Sequence, residues 1–471
     1  MLNVINNSGN KRISTIFLKA FTFSIPSVGI ALMLGPVTTV LGGVYAKNFG
    51  LSLTAIASVM LMARFFDAIT DPIIGYYSDR WRMRTGSRKS FMLVGAMLLG
   101  PCSYFLFVPG GEVSTAYFAL WYLAFYFSLT LFTIPYFAWI NEFTADSKEK
   151  TLVFSMNSIA TQSGGALFYL IPLLPFFTST EITPQILQVT VIVSAMLLLP
   201  GLMIAIKVVP DGPRSEPVSE DISTSSILTR AVVVIQSMVG NKPFVLFVLA
   251  FMCLGIGAGM WFSMFFIYVD SYLQLGEEFA KISLWGMVVG ALAVPIWYRA
   301  TLMMGKRKAW LSGMTILTGV FFCTSLLSPE GTGLYELFAL NMLMLFGMAS
   351  IGVIAGPMLC DAIDYGRLKD HVERNAVYFS IYTLLTKMQM AIGGALGMGI
   401  AGWFGFDVLA SEQTVSGLLG LHLGVAWLPA LFVGLAMCFI AVMPLSEGRM
   451  VVIRKRLAAR DRRVSEVVVS A

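Results

Sequence analysis

Residues 53–90 read LTAIASVMLMARFFDAITDPIIGYYSDRWRMRTGSRKS. The apolar run over 53–77 exceeds the roughly 20 residues that a helix needs to cross hydrocarbon. It ends in a burst of cations, Arg80, Arg82, Arg84, Arg88 and Lys89, which marks the side of a membrane where a span stops. Inside the run stand Arg64, Asp67 and Asp71, three charges that hydrocarbon penalises. One stretch therefore supplies a membrane span, its orientation and a reason for a function at membrane depth.

Working outward, apolar windows of spanning length recur near 16–45, 91–109, 115–140, 152–178 and 185–208. Six more follow near 244–271, 282–304, 309–327, 334–359, 376–404 and 417–445. The expectation is an all-α membrane protein of twelve transmembrane helices in two six-helix bundles, residues 1–208 and 244–445. Between them lies a linker, 209–243, in which PDGPRSEPVSED (210–221) is rich in Pro, Ser and acids and SSILTRAVVVIQSMV (225–239) is amphipathic. A basic tail occupies 446–471. Hydrophobic residues make up 57% of the 471 and charged residues 12%, against about a quarter charged in soluble domains. No soluble domain fits between the runs.

The net charge of +6 sits in short breaks between spans, which argues against nucleic acid. Nearly all Lys and Arg fall on one side if both termini are cytoplasmic; the opposite loops hold only Lys47 and Lys281. A bacterial cytoplasmic membrane is the expected location, and a monomer the expected state. Cys102, Cys253, Cys323, Cys360 and Cys438 stand singly without CxxC spacing, so they carry no redox or metal assignment. The polar stretch Met1–Arg12 leads into the first run without a small-residue cleavage site, and the first helix is expected to be retained. His371 and His422 match no ligand pattern.

Arg64, Asp67 and Asp71 are spaced three and four apart, on one helix face. Two ionised carboxylates within a turn repel unless a cation lies between them or one holds a proton. Thr70 on the same helix and Thr130 in the fourth run offer further oxygens for a hard monovalent cation. Sodium and proton both fit, and no other cofactor is implied. The bland alternative pairs Arg64 with one Asp and leaves the other beside the kink at Pro72. Lys387, in YFSIYTLLTKMQMAIGGALG (378–397), lies about mid-span with no acid on its own helix. Either it faces the Asp pair across the bundle, as a coupling group with Arg64, or it snorkels to an interface.

Two loops on the basic side, SDRWRMRTGSRKS (78–90) and DAIDYGRLKDHVERN (361–375), mix both signs of charge. Basic loops need only topology to explain them, but Asp361 and Asp364 ask for more, and with Arg84 and Tyr365 they are candidates for a cytoplasmic gate. The glycine runs GPVTTVLGG (35–43), GIGAG (255–259) and GGALGMG (393–399) read as close helix contacts or as hinges. Met, frequent at 28, reads as adaptable packing.

The stretch ARFFDAITDPIIGYYSDRWRMRTGSRKSFMLVG (63–95), with DAIDYGRLKDHVERNAVYFSIYTLLTK (361–387), resembles the glycoside/pentoside/hexuronide:cation symporter family. That is the melibiose-permease-like branch of the major facilitator superfamily. The resemblance implies two six-helix bundles and solute passage by alternating access. It also implies a cation site on Asp67, Thr70, Asp71 and Thr130, with Lys387 as the lysine of helix eleven. Asn is frequent in the family where Thr70 stands, and the threonine keeps the oxygen. The family's sugar-gripping charges fall on Ala31, Thr133 and Asn157, which argues against a melibiose-like solute. Thr133, Tyr136, Trp139, Asn157 and Gln162 remain for another polar solute, glycoside-like by resemblance, and the Trp, Met and Phe around them suit an amphipathic, lysophospholipid-like one. A proton-driven exporter of the same fold is a further alternative. A membrane enzyme is disfavoured, since HExxH, GxSxG and metal-ligand clusters are missing from the sequence.

Overall fold

A computed structural model of the chain describes residues 2–211, 238 and 240–459, apart from 112, 145–146, 178, 330–332, 371–374, 411, 446–447, 454 and 458. The side chains of 2–14 and of some helical positions, Lys387 among them, lie outside that description, as does most of the 209–243 linker. Among the described residues every regular element is helical. This follows from the solvent: hydrocarbon offers backbone groups no partners, so each span must satisfy its own.

The first half runs α1 (Leu2–Thr39), α2 (Leu41–Phe49), α3 (Leu53–Thr85), α4 (Lys89–Phe107), α5 (Thr115–Phe143), α6 (Ser147–Leu170) and α7 (Pro184–Val208). The second runs α8 (Lys242–Ile267), α9 (Phe279–Met304), α10 (Lys306–Thr324), α11 (Leu334–Asp370) and α12 (Asn375–Trp403). It closes with α13 (Val415–His422) and α14 (Leu428–Ala441), joined by a π-helical turn, Leu423–Trp427. Among the described residues, 10 helices are long and apolar enough to span a membrane. The windows near 152–178 and 309–327 appear as α6, diluted by Asn157, Gln162 and several Ser and Thr, and α10, which starts on Lys-Arg-Lys.

The chain forms two compact units. The first holds Met1–Val218 with Phe265–Leu284 and Gly405–Thr414 from later in the sequence; the second holds Ser219–Met264, Trp285–Phe404 and Val415–Ala471. In the first, α1 packs on α6 and α7, and α5 packs on α3 and α4. In the second, α10 packs on α11 and α14. Leu292, Leu302 and Met303 of α9 are exposed, as lipid-facing positions are.

The glycine runs of α8 and α12 make close contact. A methyl group on Gly393 would strike the backbone at Ile256 and Met260, and one on Gly259 would strike the backbone of Met390. Small residues let these two helices touch backbone to backbone. Replacing Gly393 by Leu should therefore lower the Tm of the purified protein through overpacking of about 1–3 kcal/mol. Gly434→Ala in α14, where nothing stands within 4 Å, should leave it unchanged or raise it. Equal Tm values for the two variants would contradict the contact.

Candidate functional site

The second apolar run folds into α3, opened by Ser52, whose hydroxyl accepts from the Ala55 amide, and closed by Gly86 in the left-handed region at φ 83°. Pro72 inside it removes one helical donor and so releases the carbonyl of Ala68 beside Asp71. Arg64 forms an ion pair with Asp67 at 2.9 Å, both side chains largely buried at 12% and 16% exposure. Its guanidinium lies 4.0 Å from the centroid of Tyr126 on α5, a cation–π contact that helps to hold a charge at this depth. Oδ1 of Asp67 and Oδ1 of Asp71 are both withdrawn from solvent. The ion pair of the bland alternative is thus present, with Asp71 one turn further along the same face.

Contacts between α3 and α5 set the level of Thr130. Phe66 meets Phe127 with ring centroids 6.2 Å apart, and a methyl group on Gly75 would stand 4.0 Å from Ile134, so the two helices run side by side in the same direction. Interpolation places Thr130, buried at 7% exposure, level with Thr70 and Asp71. The Thr70 hydroxyl donates to the Phe66 carbonyl at 3.0 Å, which spends its proton and leaves its lone pairs to accept. Two carboxylates, two hydroxyl oxygens and a released carbonyl stand near one level of α3 and α5, with the Arg64 cation beside them among the described side chains.

The proposed solute residues divide by environment. Asn157 and Tyr136 are buried in one network: the Tyr136 hydroxyl bonds Ser27 Oγ at 2.9 Å and donates to the Phe23 carbonyl, and Ser27 also bonds Asn157. Phe23 stacks on Tyr136 at 4.2 Å. Trp139 is fully buried and donates to the Pro210 carbonyl at 3.2 Å. Thr133 is half-buried and Gln162 exposed. A residue that sequence reasoning missed is Gln389, two positions beyond Lys387 on α12. It is 6% exposed, packs over Gly255, and lines a 250 Å³ cavity with Phe251, Leu254, Met348 and Met390. Its Oε1 is buried without a hydrogen bond. A lone amide inside an apolar span is the signal that could have found it.

At the basic ends the two units repeat one device. In the first, Arg88 is buried and bonds Ser78 Oγ at 2.9 Å, Asp79, and Glu142 at the end of α5. Arg82 joins Glu142 at 3.0 Å, and Lys89 donates to the carbonyls of Ile206 and Val209 at the end of α7 at 3.1 and 2.9 Å. In the second, Lys306 pairs with the buried Asp361 of α11, and Arg307 donates to the Ala441 and Met443 carbonyls at the end of α14. Each cation pair follows a left-handed glycine, Gly86 at φ 83° or Gly305 at φ 81°. Of the expected gate residues, Asp361 is held within its own unit by Lys306, Asp364 and Tyr365 are half-buried, and Arg84 is exposed. Glu142 went unnoticed in the sequence because it closes an apolar run like any interfacial acid.

At the opposite end of the first unit, Lys47 of α2 bridges Glu181 at 2.5 Å and Asp270 at 2.9 Å. Asp270 sits on a π-helical turn, Tyr268–Tyr272. Burial pulls the Lys47 pKa down, but the two carboxylates outweigh it and hold the group above its ordinary 10.5. A raised lysine contributes stability below 10.5 that fades only as alkaline pH passes the raised value, so this bridge stays charged at neutral pH.

Residues 22–447 match the family described as MFS/sugar transport protein. The chain belongs to that family. Among its relatives are an uncharacterized symporter of Bacillus subtilis (strain 168), 23% identical, with 92% of each chain covered, and a putative glycoside/cation symporter of Escherichia coli (strain K12), 22% identical over 91% of this chain and 92% of that one. A sodium-dependent lysophosphatidylcholine symporter of Danio rerio is 22% identical over 83% and 79%. In fold the chain resembles a crystal structure of a nucleoside transporter, with a TM-score of 0.64, 12% identity, and 91% of this chain and 100% of that one covered. It is a multi-pass integral membrane transporter. Glu142→Gln should destabilise by about 3 kcal/mol, because it leaves the buried Arg88 with only the exposed carboxylate of Asp79. Asp79→Asn, at a carboxylate 63% exposed, should cost little; denaturation midpoints of the two purified variants check this.

Proposed function

We propose that the chain is a cation-coupled symporter in which Asp67, Thr70, Asp71 and Thr130 bind Na⁺ or H⁺. The observation that carries this is the buried Arg64–Asp67 pair with Asp71 one turn away and Thr130 level on α5. Arg64 compensates one carboxylate, and a monovalent cation or a proton compensates the other. α3 continues from this site to Ser78, where Arg88 fastens it to Glu142, so site occupancy and the basic-end cluster act on one rigid helix. Lys387, whose side chain is not described, is proposed as the coupling cation of the second half.

The solute is a small polar molecule, glycoside-like as the E. coli relative's name has it, carried by alternating access across twelve spans in two six-helix halves (1–208 and 244–445). Thr133 and Gln162 are the contacts of the first half, while Ser27 and Tyr136 fix the Asn157 amide. Asp361, Asp364, Tyr365 and Arg84 serve the cytoplasmic gate. Both termini face the cytoplasm of a bacterial inner membrane, on the distribution of Lys and Arg.

In proteoliposomes, an imposed Na⁺ or pH gradient should drive uptake of a β-glycoside mixture. Asp67→Asn and Asp71→Asn should each abolish accumulation above the outside concentration. Accumulation that ignores both variants and both gradients sinks the proposal. Thr130→Ala separates the ions: a Na⁺ site loses a ligand and should need roughly tenfold more cation, whereas a proton site should not notice. A second reading, an amphipathic lysophospholipid-like solute, is favoured by the enclosure of Tyr136, Asn157 and Trp139, which leaves few polar groups for a sugar. Competition of uptake by lysophosphatidylcholine but not by glycosides would select it.

A further inference from the structure

The repeated device of the basic ends leaves one cation over. In the first unit Arg88 takes the carboxylate and Lys89 takes the helix-end carbonyls. In the second unit Lys306 and Arg307 fill those two roles, and the next residue is Lys308, where the first unit has the neutral Ser90. Lys308 makes no hydrogen bond or ion pair among the described residues. It lines a pocket of about 640 Å³ with Met304, Lys306, Arg307, Leu311 and Met358 as neighbours, closed from the tail side by Leu445 and Met450. All of these residues belong to the second unit.

Three properties of the pocket point to one class of ligand. Its described lining is positive: Lys306, Arg307 and Lys308 against Asp361. It lies at the N-terminus of α10, where Gly305 supplies no side-chain cap, so the first-turn amides are left to an outside acceptor, with the helix dipole behind them. Near it in the chain, the end of α9 and the residue after α14 leave apolar side chains exposed, Leu302 at 69%, Met303 at 86% and Val442 at 66%. The tail residues 448–457 bury Met450, Ile453 and Leu457 and leave Val451, Val452, Lys455 and Arg456 outward, which extends a surface both basic and greasy beside the pocket. A free phosphate would use the cations but not these apolar side chains, and a neutral lipid the apolar side chains but not the cations.

We propose that this pocket binds an anionic phospholipid of the leaflet it faces, with the headgroup phosphate on Lys308 and the α10 amides and the acyl chains along Leu302, Met303 and Val442. The Lys306–Asp361 pair lies in the same pocket, so the lipid phosphate competes with Asp361 for Lys306 and reaches a gate carboxylate.

The test is thermal unfolding of the purified full chain in neutral detergent, titrated with dioctanoyl-phosphatidylglycerol, dioctanoyl-phosphatidylcholine or inorganic phosphate. The glycerol lipid should raise Tm saturably, and the choline lipid and phosphate at equal concentration should not. Lys308→Glu should weaken the apparent affinity about tenfold and Lys308→Gln by less. Equal stabilisation by the choline lipid would leave only an apolar groove, and a matching shift from phosphate alone would make it a free-anion site; either overturns the proposal. So does unchanged affinity in the Lys308 variants. Should Lys308→Glu not fold, Lys308→Gln carries the same test, with retention of phosphatidylglycerol over phosphatidylcholine by the wild type in native mass spectrometry as the independent readout.

Discussion

Hydrocarbon solvates neither a peptide group nor a charge, and that one constraint organises the protein from its helices to its sites. It makes every span helical, and it makes every ionisable group within a span conspicuous. Arg64 is tolerated because Asp67 answers its charge and Tyr126 covers it. Asp71 stands one turn further along the same face, with its Oδ1 withdrawn from solvent.

The same constraint acts at the membrane surface, where helices end and their last carbonyls lose intrahelical partners. Lys89 and Arg307 satisfy those of α7 and α14, Arg88 fastens the end of α5, and Lys306 holds Asp361 on α11. The cations of these two loops therefore do mechanical work, tying a short loop to two helices in each unit. A basic loop that reads as a topology signal can thus carry a structural duty as well.

Much of this was legible in the sequence. Spanning length is written in hydropathy, and the three-and-four spacing of Arg64, Asp67 and Asp71 placed them on one face before any coordinates. The glycine runs at 255–259 and 393–399 left close packing and hinging open, and the backbone contacts of Gly259 and Gly393 show the packing. Partners distant in sequence were not legible. Glu142 looks like any acid at a span's end, and only packing shows that Arg88 reaches it. Asn157 and Tyr136 look like solute ligands because they are polar residues in apolar runs, and only the position of Ser27 shows that they satisfy one another. Gln389 was overlooked because the charged Lys387 beside it drew the eye.

The two basic loops do one task from different registers. Each starts from a left-handed glycine, and aligned on that glycine Arg88 falls opposite Arg307. Their duties do not match: Arg88 holds a carboxylate, while Arg307 holds carbonyls, the task of Lys89 in the other half. The two loops thus satisfy the same kinds of group, a carboxylate and helix-end carbonyls, from positions one residue out of register. A column-by-column match of the two loops would give equal roles to unequal residues, and the inventory of satisfied atoms is what pairs them correctly.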